Sequence, residues 1–375
     1  MERISIGESN NVKILGRTTY TEEKLNLFWT ASGIELDTPA TEMYIDVETD
    51  FEKYEPWVEI YVDGELSQKR MVDKGVSRIY ILRKMDPGKV RNIRFIKCTQ
   101  PHPSDKREMF RILGIGADAD PVPMKKRPVR IEFIGDSITS GEGLHGAYGE
   151  MSNTGAMFAV DGSYHSIIAK ELDADATLFS MCGYGVYSGW CGMTKESMPQ
   201  YYGQVCGVTD SIYDDVTGSH EKWDHSLFRP DIVIINLGTN DSGSIDMSGQ
   251  YVEDKNWNCP VKINEDGSVK EEALSDITGA VISFLKELRK IHPDAMLIWC
   301  YGMIRGRLDE TLKDAVHSYR RETGDNKAFY VSLPETKKEE FGSRFHPGRQ
   351  SHKHAAEMIL DTIRKIQNGG SIPEI

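Results

Sequence analysis

The sequence predicts an α/β protein in two parts: an N-terminal antiparallel β-sandwich over residues 1–120 and a C-terminal doubly wound parallel sheet over residues 129–375. Three observations predict it. Residues 1–120 carry short alternating apolar runs with no helical pattern among them. From residue 129 onward, largely apolar strands alternate with amphipathic helical patterns. Between the two, 118–128 (DADPVPMKKRP) is rich in proline and charge, and 121–128 reads as the linker.

In the first part, the runs 41–47 (TEMYIDV), 57–62 (WVEIYV), 77–82 (SRIYIL) and 90–97 (VRNIRFIK) show the two-residue period of half-buried strands. Turn residues separate them at Asp63-Gly64 and Asp86-Pro87-Gly88. In the second part, 129–135 (VRIEFIG) is the first strand and 162–172 the first helix, followed by a short strand at 176–181. The run 231–237 (DIVIINL) is apolar almost throughout, as a strand covered on both faces must be. A long amphipathic helix at 271–291 gathers Leu274, Ile277, Val281, Phe284, Leu285, Leu288 and Ile291 on one side. Strand 296–303, helix 310–323, strand 328–333 and helix 347–367 complete the alternation. The segment 242–270, with Trp257, Pro260 and Gly267, has no clear period, and loops of that length are usually functional or mobile. There is no internal repeat and no low-complexity tract.

Charge narrows the partners. The 58 acidic residues outnumber the 45 basic ones, for a net −13. Such a surface repels phosphate backbones and anionic membranes, so neither nucleic acid nor membrane is an expected partner. A neutral saccharide would meet no such repulsion. No run approaches the ~18 apolar residues of a membrane span. The N-terminus MERISIGESNNVKIL lacks a signal-length apolar stretch, so the expected location is cytoplasmic, or secreted if a leader has been removed. The cysteines at 98, 182, 191, 206, 259 and 300 form no CxxC pair and read as reduced core or loop residues.

Open α/β sheets bind their ligands at the carboxyl ends of the strands. Strand 129–135 delivers Gly135-Asp136-Ser137 there, and a serine in that place is either a nucleophile or a helix N-cap. After 231–237 comes Gly238-Thr239-Asn240-Asp241, where Asn240 is either an amide donor to an oxyanion or a turn residue. After 176–181 comes Cys182-Gly183-Tyr184-Gly185, where Gly183 either brings its N–H against a ligand or merely turns the chain. Three strand ends thus offer a hydroxyl, a backbone donor and an amide, a conjunction more specific than any one of them. His346, in Phe345-His346-Pro347-Gly348 before the last helix, supplies the base that a serine nucleophile needs. His352 and His354 follow it, but no carboxylate or cysteine pattern accompanies the three, so no metal set is expected; the latter two shape the helix start or its solvated face. The run Gly141 to Gly146 (GEGLHG) fits GxGxxG, yet Asp-Ser-Ile-Thr-Ser separates it from the strand and Ala147-Tyr148-Gly149 opens no helix. A dinucleotide cofactor is therefore not expected. The GxSxG elbow of α/β-hydrolases is absent.

The blocks GDSIT at 135–139, the glycines at 183 and 185, GTND at 238–241 and His346-Pro347 resemble the four blocks of the SGNH (GDSL-type) hydrolases. Within that superfamily, IEFIGDSIT followed by SGEG, and HPGRQSHKHAA, resemble carbohydrate esterase family 2, the acetyl xylan esterase group. Gly16-Arg17 and 60–64 (IYVDG) look like the N-terminal pattern of the same family. The resemblance implies a jelly-roll sandwich joined to a flavodoxin-like hydrolase sheet. It implies Ser137 as nucleophile, His346 as general base, and the Ser137 N–H, Gly183 N–H and Asn240 amide as oxyanion donors. One departure stands out: the aspartate usual three residues before the histidine is here Ser343. A backbone carbonyl is then expected to orient the imidazole, with Glu339 or Glu340 as the second option. Aromatic residues beside the blocks, Tyr184, Tyr187, Trp190 and Trp257, either stack on sugar rings or fill a core wall, and Trp190 and Trp257 are the better placed. The expected activity is a cofactor-free serine esterase removing O-acetyl groups from plant-type polysaccharide or oligosaccharide, such as xylan or mannan, through an acetyl-serine intermediate. The alternatives are an SGNH esterase for another small ester (lipid or thioester) and a non-catalytic carbohydrate-binding protein, for which the missing acid is the only support.

Overall fold

The computed structural model describes residues 2–4, 6–7, 10–304 and 306–368. The N-terminal part consists of strands β1 (Glu2–Ile4), β2 (Val12–Leu15), β3 (Thr18–Thr21), β4 (Lys24–Leu27), β5 (Gly33–Thr38), β6 (Met43–Asp50), β7 (Trp57–Val62), β8 (Glu65–Met71), β9 (Gly75–Leu82), β10 (Arg91–Lys97) and β11 (Met109–Ala117). They form two antiparallel sheets, β3-β4-β11-β6-β9 with β1 on β11, and β2-β5-β10-β7-β8. Strand β6 shows the logic: Met43, Ile45, Val47 and Thr49 are buried while the residues between them are half-exposed. Ile34, Leu36, Ile60, Ile93 and Phe95 of the other sheet meet them across the sandwich in one core, which Ile112 and Ile115 of the neighbouring β11 share.

The second part runs β12 (Val129–Gly135), α1 (Ser137–Ser140), α2 (Tyr164–Glu171), β13 (Ala174–Ser180), α3 (Asp214–Thr217), β14 (Ile232–Asn236), α4 (Thr239–Asp246), β15 (Tyr251–Val252), β16 (Trp257–Asn258), α5 (Glu271–Ile291), β17 (Met296–Tyr301), α6 (Asp309–Thr323), β18 (Ala328–Ser332) and α7 (Arg349–Gln367). Its main sheet has the order β13-β12-β14-β17-β18, and its pairs are all parallel. That is the flavodoxin-like order 2-1-3-4-5, whose switch point lies where β12 meets β14. Alternate residues feed two cores. Val233, Ile235, Leu297 and Trp299 face α5 and α6, whereas Ile131, Phe133, Ile234 and Ile298 face α2 and α7. The segment 242–270, expected as an irregular loop, opens inside α4 and carries the small β15–β16 hairpin. Among the described residues, no helix is long and apolar enough to cross a membrane.

The two parts share their cores. Phe28 and Trp29 of the sandwich pack with the α5–α6 side, while Leu15, Ala31, Tyr61 and Ile96 pack with the other. Arg17 crosses the seam fully buried, pairing with Glu132 at 3.0 Å and lying over the rings of Phe179 and Tyr202. The 121–128 segment is pinned as well: Val122 bridges Asp37, and Arg127 pairs with both Glu35 and Asp175.

Candidate active site

Strand β12 ends at Gly135, where a side chain would collide with Thr139 Oγ1, so the chain turns sharply into α1. Asp136 is the N-cap of α1, accepting the Ile138 N–H at 3.0 Å, and this removes the cap alternative for Ser137. Ser137 sits one residue inside the helix, and its Oγ lies 2.9 Å from His346 Nε2. These two side chains, 209 residues apart in the chain, are brought into direct contact.

His346 comes from a loop held by glycines. Gly143 and Gly146 in the SGEGLHG stretch lie against Ser343 and His346, and Gly342 lies against the Gly143 carbonyl. The GxGxxG pattern is thus explained by close loop packing. Within the loop, Arg344 and Phe345 take left-handed backbone angles, φ +52° and +56°, which non-glycine residues adopt at a cost of about 1–3 kcal/mol each. The turn aims the Arg344 carbonyl at His346 Nδ1, 2.9 Å away. A carbonyl only accepts, so Nδ1 carries the proton and Nε2 turns its lone pair toward Ser137. The orienting group is therefore the backbone carbonyl, and the second option is corrected. Glu340 pairs with Lys337 and faces His354, while Glu339 is exposed. Ser343, at the position of the usual acid, is fully buried and its hydroxyl finds no partner.

The remaining strand ends converge on the same edge. Asn240, in the first turn of α4, donates from Nδ2 to the Tyr184 carbonyl at 2.8 Å and makes a longer 3.4 Å contact with Asp136. It links the neighbour of Ser137 to the neighbour of Gly183. Gly183 has φ +81°, and a side chain there would press on the Trp190 ring. The loop after it is held by Asp241, which accepts the N–H groups of Val186, Tyr187 and Ser188 at 2.8–2.9 Å. Burial pushes the Asp241 carboxyl up despite those donors. Sequence reasoning quoted Asp241 but gave it no role; its place beside Asn240 in GTND was the available signal.

Trp190 and Trp257 are half-buried and share a small cluster with Cys191, Val252 and Cys259, and Trp257 Nε1 donates to the Cys191 carbonyl. They form one wall beside Gly183. Tyr184 does not present a free face: it is 8% exposed in the main core, and only its carbonyl serves the site. Tyr187 is half-buried against that core. A further aromatic pair was missed. Phe345, next to His346, meets Tyr148 edge to face at 6.4 Å, and both, with Met151, are more than half exposed. His352 is buried and accepts the Tyr164 N–H, capping α2; burial lowers its imidazole to about 3. The six cysteines are free. Among the described residues, no three His, Cys, Asp or Glu side chains gather as a metal set.

A parallel sheet of order 2-1-3-4-5, with a serine–histidine couple at its carboxyl edge and a glycine and an asparagine on the neighbouring strand ends, defines an SGNH-type serine hydrolase. The family model described as GDSL-like Lipase/Acylhydrolase matches residues 131–359, and the chain belongs to that family. Over its whole length it is similar to family 2 carbohydrate esterases. An acetyl xylan esterase (Est2A) from the rumen bacterium Butyrivibrio proteoclasticus has a solved structure with 31% identity and TM-score 0.93, covering 98% of each chain. A family two carbohydrate esterase from Clostridium thermocellum, solved in complex with cellohexaose, is 23% identical with TM-score 0.77, covering 96% of this chain and 99% of that one. The acetylxylan esterase / glucomannan deacetylase of Cellvibrio japonicus is 24% identical over 365 residues, 96% of this chain and 89% of that protein.

Proposed function

We propose that the protein is a serine esterase that removes O-acetyl groups from plant-type polysaccharide or oligosaccharide of the xylan or mannan kind. The observation that carries the reading is the 2.9 Å approach of Ser137 Oγ to a His346 Nε2 whose tautomer is set by the Arg344 carbonyl. Ser137 Oγ attacks the acetyl carbonyl carbon while His346 Nε2 takes the hydroxyl proton. The carbonyl oxygen becomes an oxyanion, met by the Ser137 N–H, the Gly183 N–H and the Asn240 amide. One Asn240 hydrogen is committed to Tyr184; the other, in the longer contact with Asp136, turns to the oxyanion. As the bond between the acetyl carbon and the sugar oxygen breaks, His346 returns the proton to that oxygen and the saccharide leaves. Water then attacks the acetyl-serine with His346 as base, releasing acetate and restoring the Ser137 hydroxyl. This cycle balances without a cofactor. The full-length extent of the likeness to acetyl xylan esterases supports the acetylated saccharide as substrate, and the exposed Phe345–Tyr148 pair offers its rings an apolar face.

Acetate release from acetylated xylo- and manno-oligosaccharides tests the reading. The wild type is expected to release acetate, and Ser137→Ala to fall at least about a thousandfold. Undiminished release by the variant would sink it.

A further inference from the structure

We propose that Glu142 supplies the carboxylate missing before His346, as a positioning residue that acts through His346 and Arg344. Glu142 is 4% exposed, and its Oε2 lies 3.6 Å from His346 Nε2, on the proton-accepting side of the ring and not the Nδ1 side where a triad acid would sit. That distance is too long for a hydrogen bond, so Glu142 does not compete with Ser137 for Nε2. Its other oxygen accepts from Arg344 Nε at 2.5 Å, and the Arg344 carbonyl in turn accepts from His346 Nδ1. Its backbone N–H donates to the Ser137 carbonyl at 3.0 Å. One residue is thereby bonded to the nucleophile's turn and to the residue that fixes the tautomer, with its charge beside the histidine's base nitrogen.

The chemistry follows from the charges. When Ser137 gives up its proton, a positive charge forms on the imidazole, and an anion 3.6 Å away in a buried place favours that state. Arg344 holds the carboxylate by its far oxygen and prevents it from rotating onto Nε2, where it would trap the imidazolium unproductively. The titratable and charged groups facing this pair are Arg344, His346, Cys182 on the strand-end loop, Asp136 on the nucleophile turn, His102 of the sandwich and His352 of α7. Burial alone would raise the Glu142 carboxyl, but the His346 ring, the Cys182 thiol and the Arg344 guanidinium together hold it below the usual carboxylate range, so it is an anion at neutral pH.

The inference rests on the Ser137–His346 reading, which fluorophosphonate labelling of the wild-type serine tests separately: an unlabelled wild type fails that reading, whatever Glu142 does. The test of Glu142 is the pH dependence of 4-nitrophenyl acetate hydrolysis by the full-length protein and by Glu142→Gln and Glu142→Asp. Glu142→Gln keeps the shape and an acceptor for Arg344 but removes the charge. It is expected to lower kcat by about ten- to a hundredfold with KM unchanged, and to move the acid limb of kcat/KM down by about one pH unit. Glu142→Asp keeps the charge and is expected to leave the limb in place. Wild-type kcat and an unmoved limb in Glu142→Gln would overturn the proposal. Should the Gln variant not fold, a limb displaced in Glu142→Asp would overturn it equally.

Discussion

At the scale of single residues, the site is a group of carboxyls whose surroundings set them apart. Asp136 caps α1 and is buried within reach of two others; burial first, then the charges of Asp241 and Glu142, raise it from 3.8 to about 7, against the Ile138 N–H that lowers it. A group raised in the folded state keeps a proton that the unfolded chain releases. Its contribution to stability is full below pH 3.8 and is lost as pH rises through about 7. Asp136→Asn retains an acceptor for the cap and cannot ionise. It is therefore expected to melt above the wild type at about pH 8, by a margin of at most about 4 kcal/mol, and level with it at about pH 4. Thermal melts across that range check it, and parallel curves would refute the assignment. Residue identity alone had marked Ser137, Asn240, Gly183 and His346, because strand-end position carries chemical meaning. It had no means of marking Glu142, because no spacing rule joins 142 to 346 and the usual acid lies in the chain just before the histidine.

At the scale of elements, two loops that meet by glycine set the geometry. Gly143, at φ +78°, lies so close to the histidine loop that a methyl group would meet the Ser343 carbonyl at 2.5 Å and His346 Cβ at 2.7 Å. Gly143→Ala is expected to displace His346 rather than unfold the sheet. Its signature is kcat lowered by about a hundredfold, a larger loss than the about 1–3 kcal/mol of stability that a non-glycine residue costs at that φ. An equal loss of stability and activity would place the glycine in general packing. The long periodic elements were legible: β12 spans the predicted 129–135, and α5 the predicted 271–291. Elements whose sequence breaks the period were not. Strand β8 (ELSQKRM) is a polar edge strand, and β5 buries Glu35, which its pairing with Arg127 and a hydrogen bond from Asn92 allow. In β11 the pairing register with β6 shifts between Ile112 and Gly114, so the pattern slips there. The left-handed turn at Arg344 and Phe345 was also invisible, because neither residue type signals positive φ.

At the scale of the whole molecule, the sequence offered two parts and a linker, and what joins them was hidden in one charged residue of the β2–β3 turn. Arg17 leaves the sandwich and enters the catalytic side, where it pairs with Glu132 on β12, the strand that carries Ser137 at its end. Its Nη1 also donates to the Tyr202 carbonyl, and Tyr202 and His292 complete the surroundings of Glu132. Burial would raise the Glu132 carboxyl, but His292, Arg17 and Tyr202 outweigh it and hold it at about 2. A depressed acid stabilises above its unfolded value of 4.5, and that contribution is lost only as pH falls through about 2. Breaking one partner of a buried pair strands the other, so Arg17→Met is expected to cost about 3–5 kcal/mol near neutral pH. Adding Glu132→Leu should return most of that loss, since the stranded charge goes with it. Because Phe28 and Trp29 belong to the same core as β14 and β17, sandwich and sheet should unfold together in all three proteins. Urea unfolding followed by tryptophan fluorescence reads both sides at once, through Trp29 and Trp299, and by circular dichroism reads the whole chain. A single coincident transition that moves with Arg17→Met and returns with the double variant supports one cooperative unit. Two separated transitions in the wild type would mean that the nucleophile strand does not depend on the sandwich for its place.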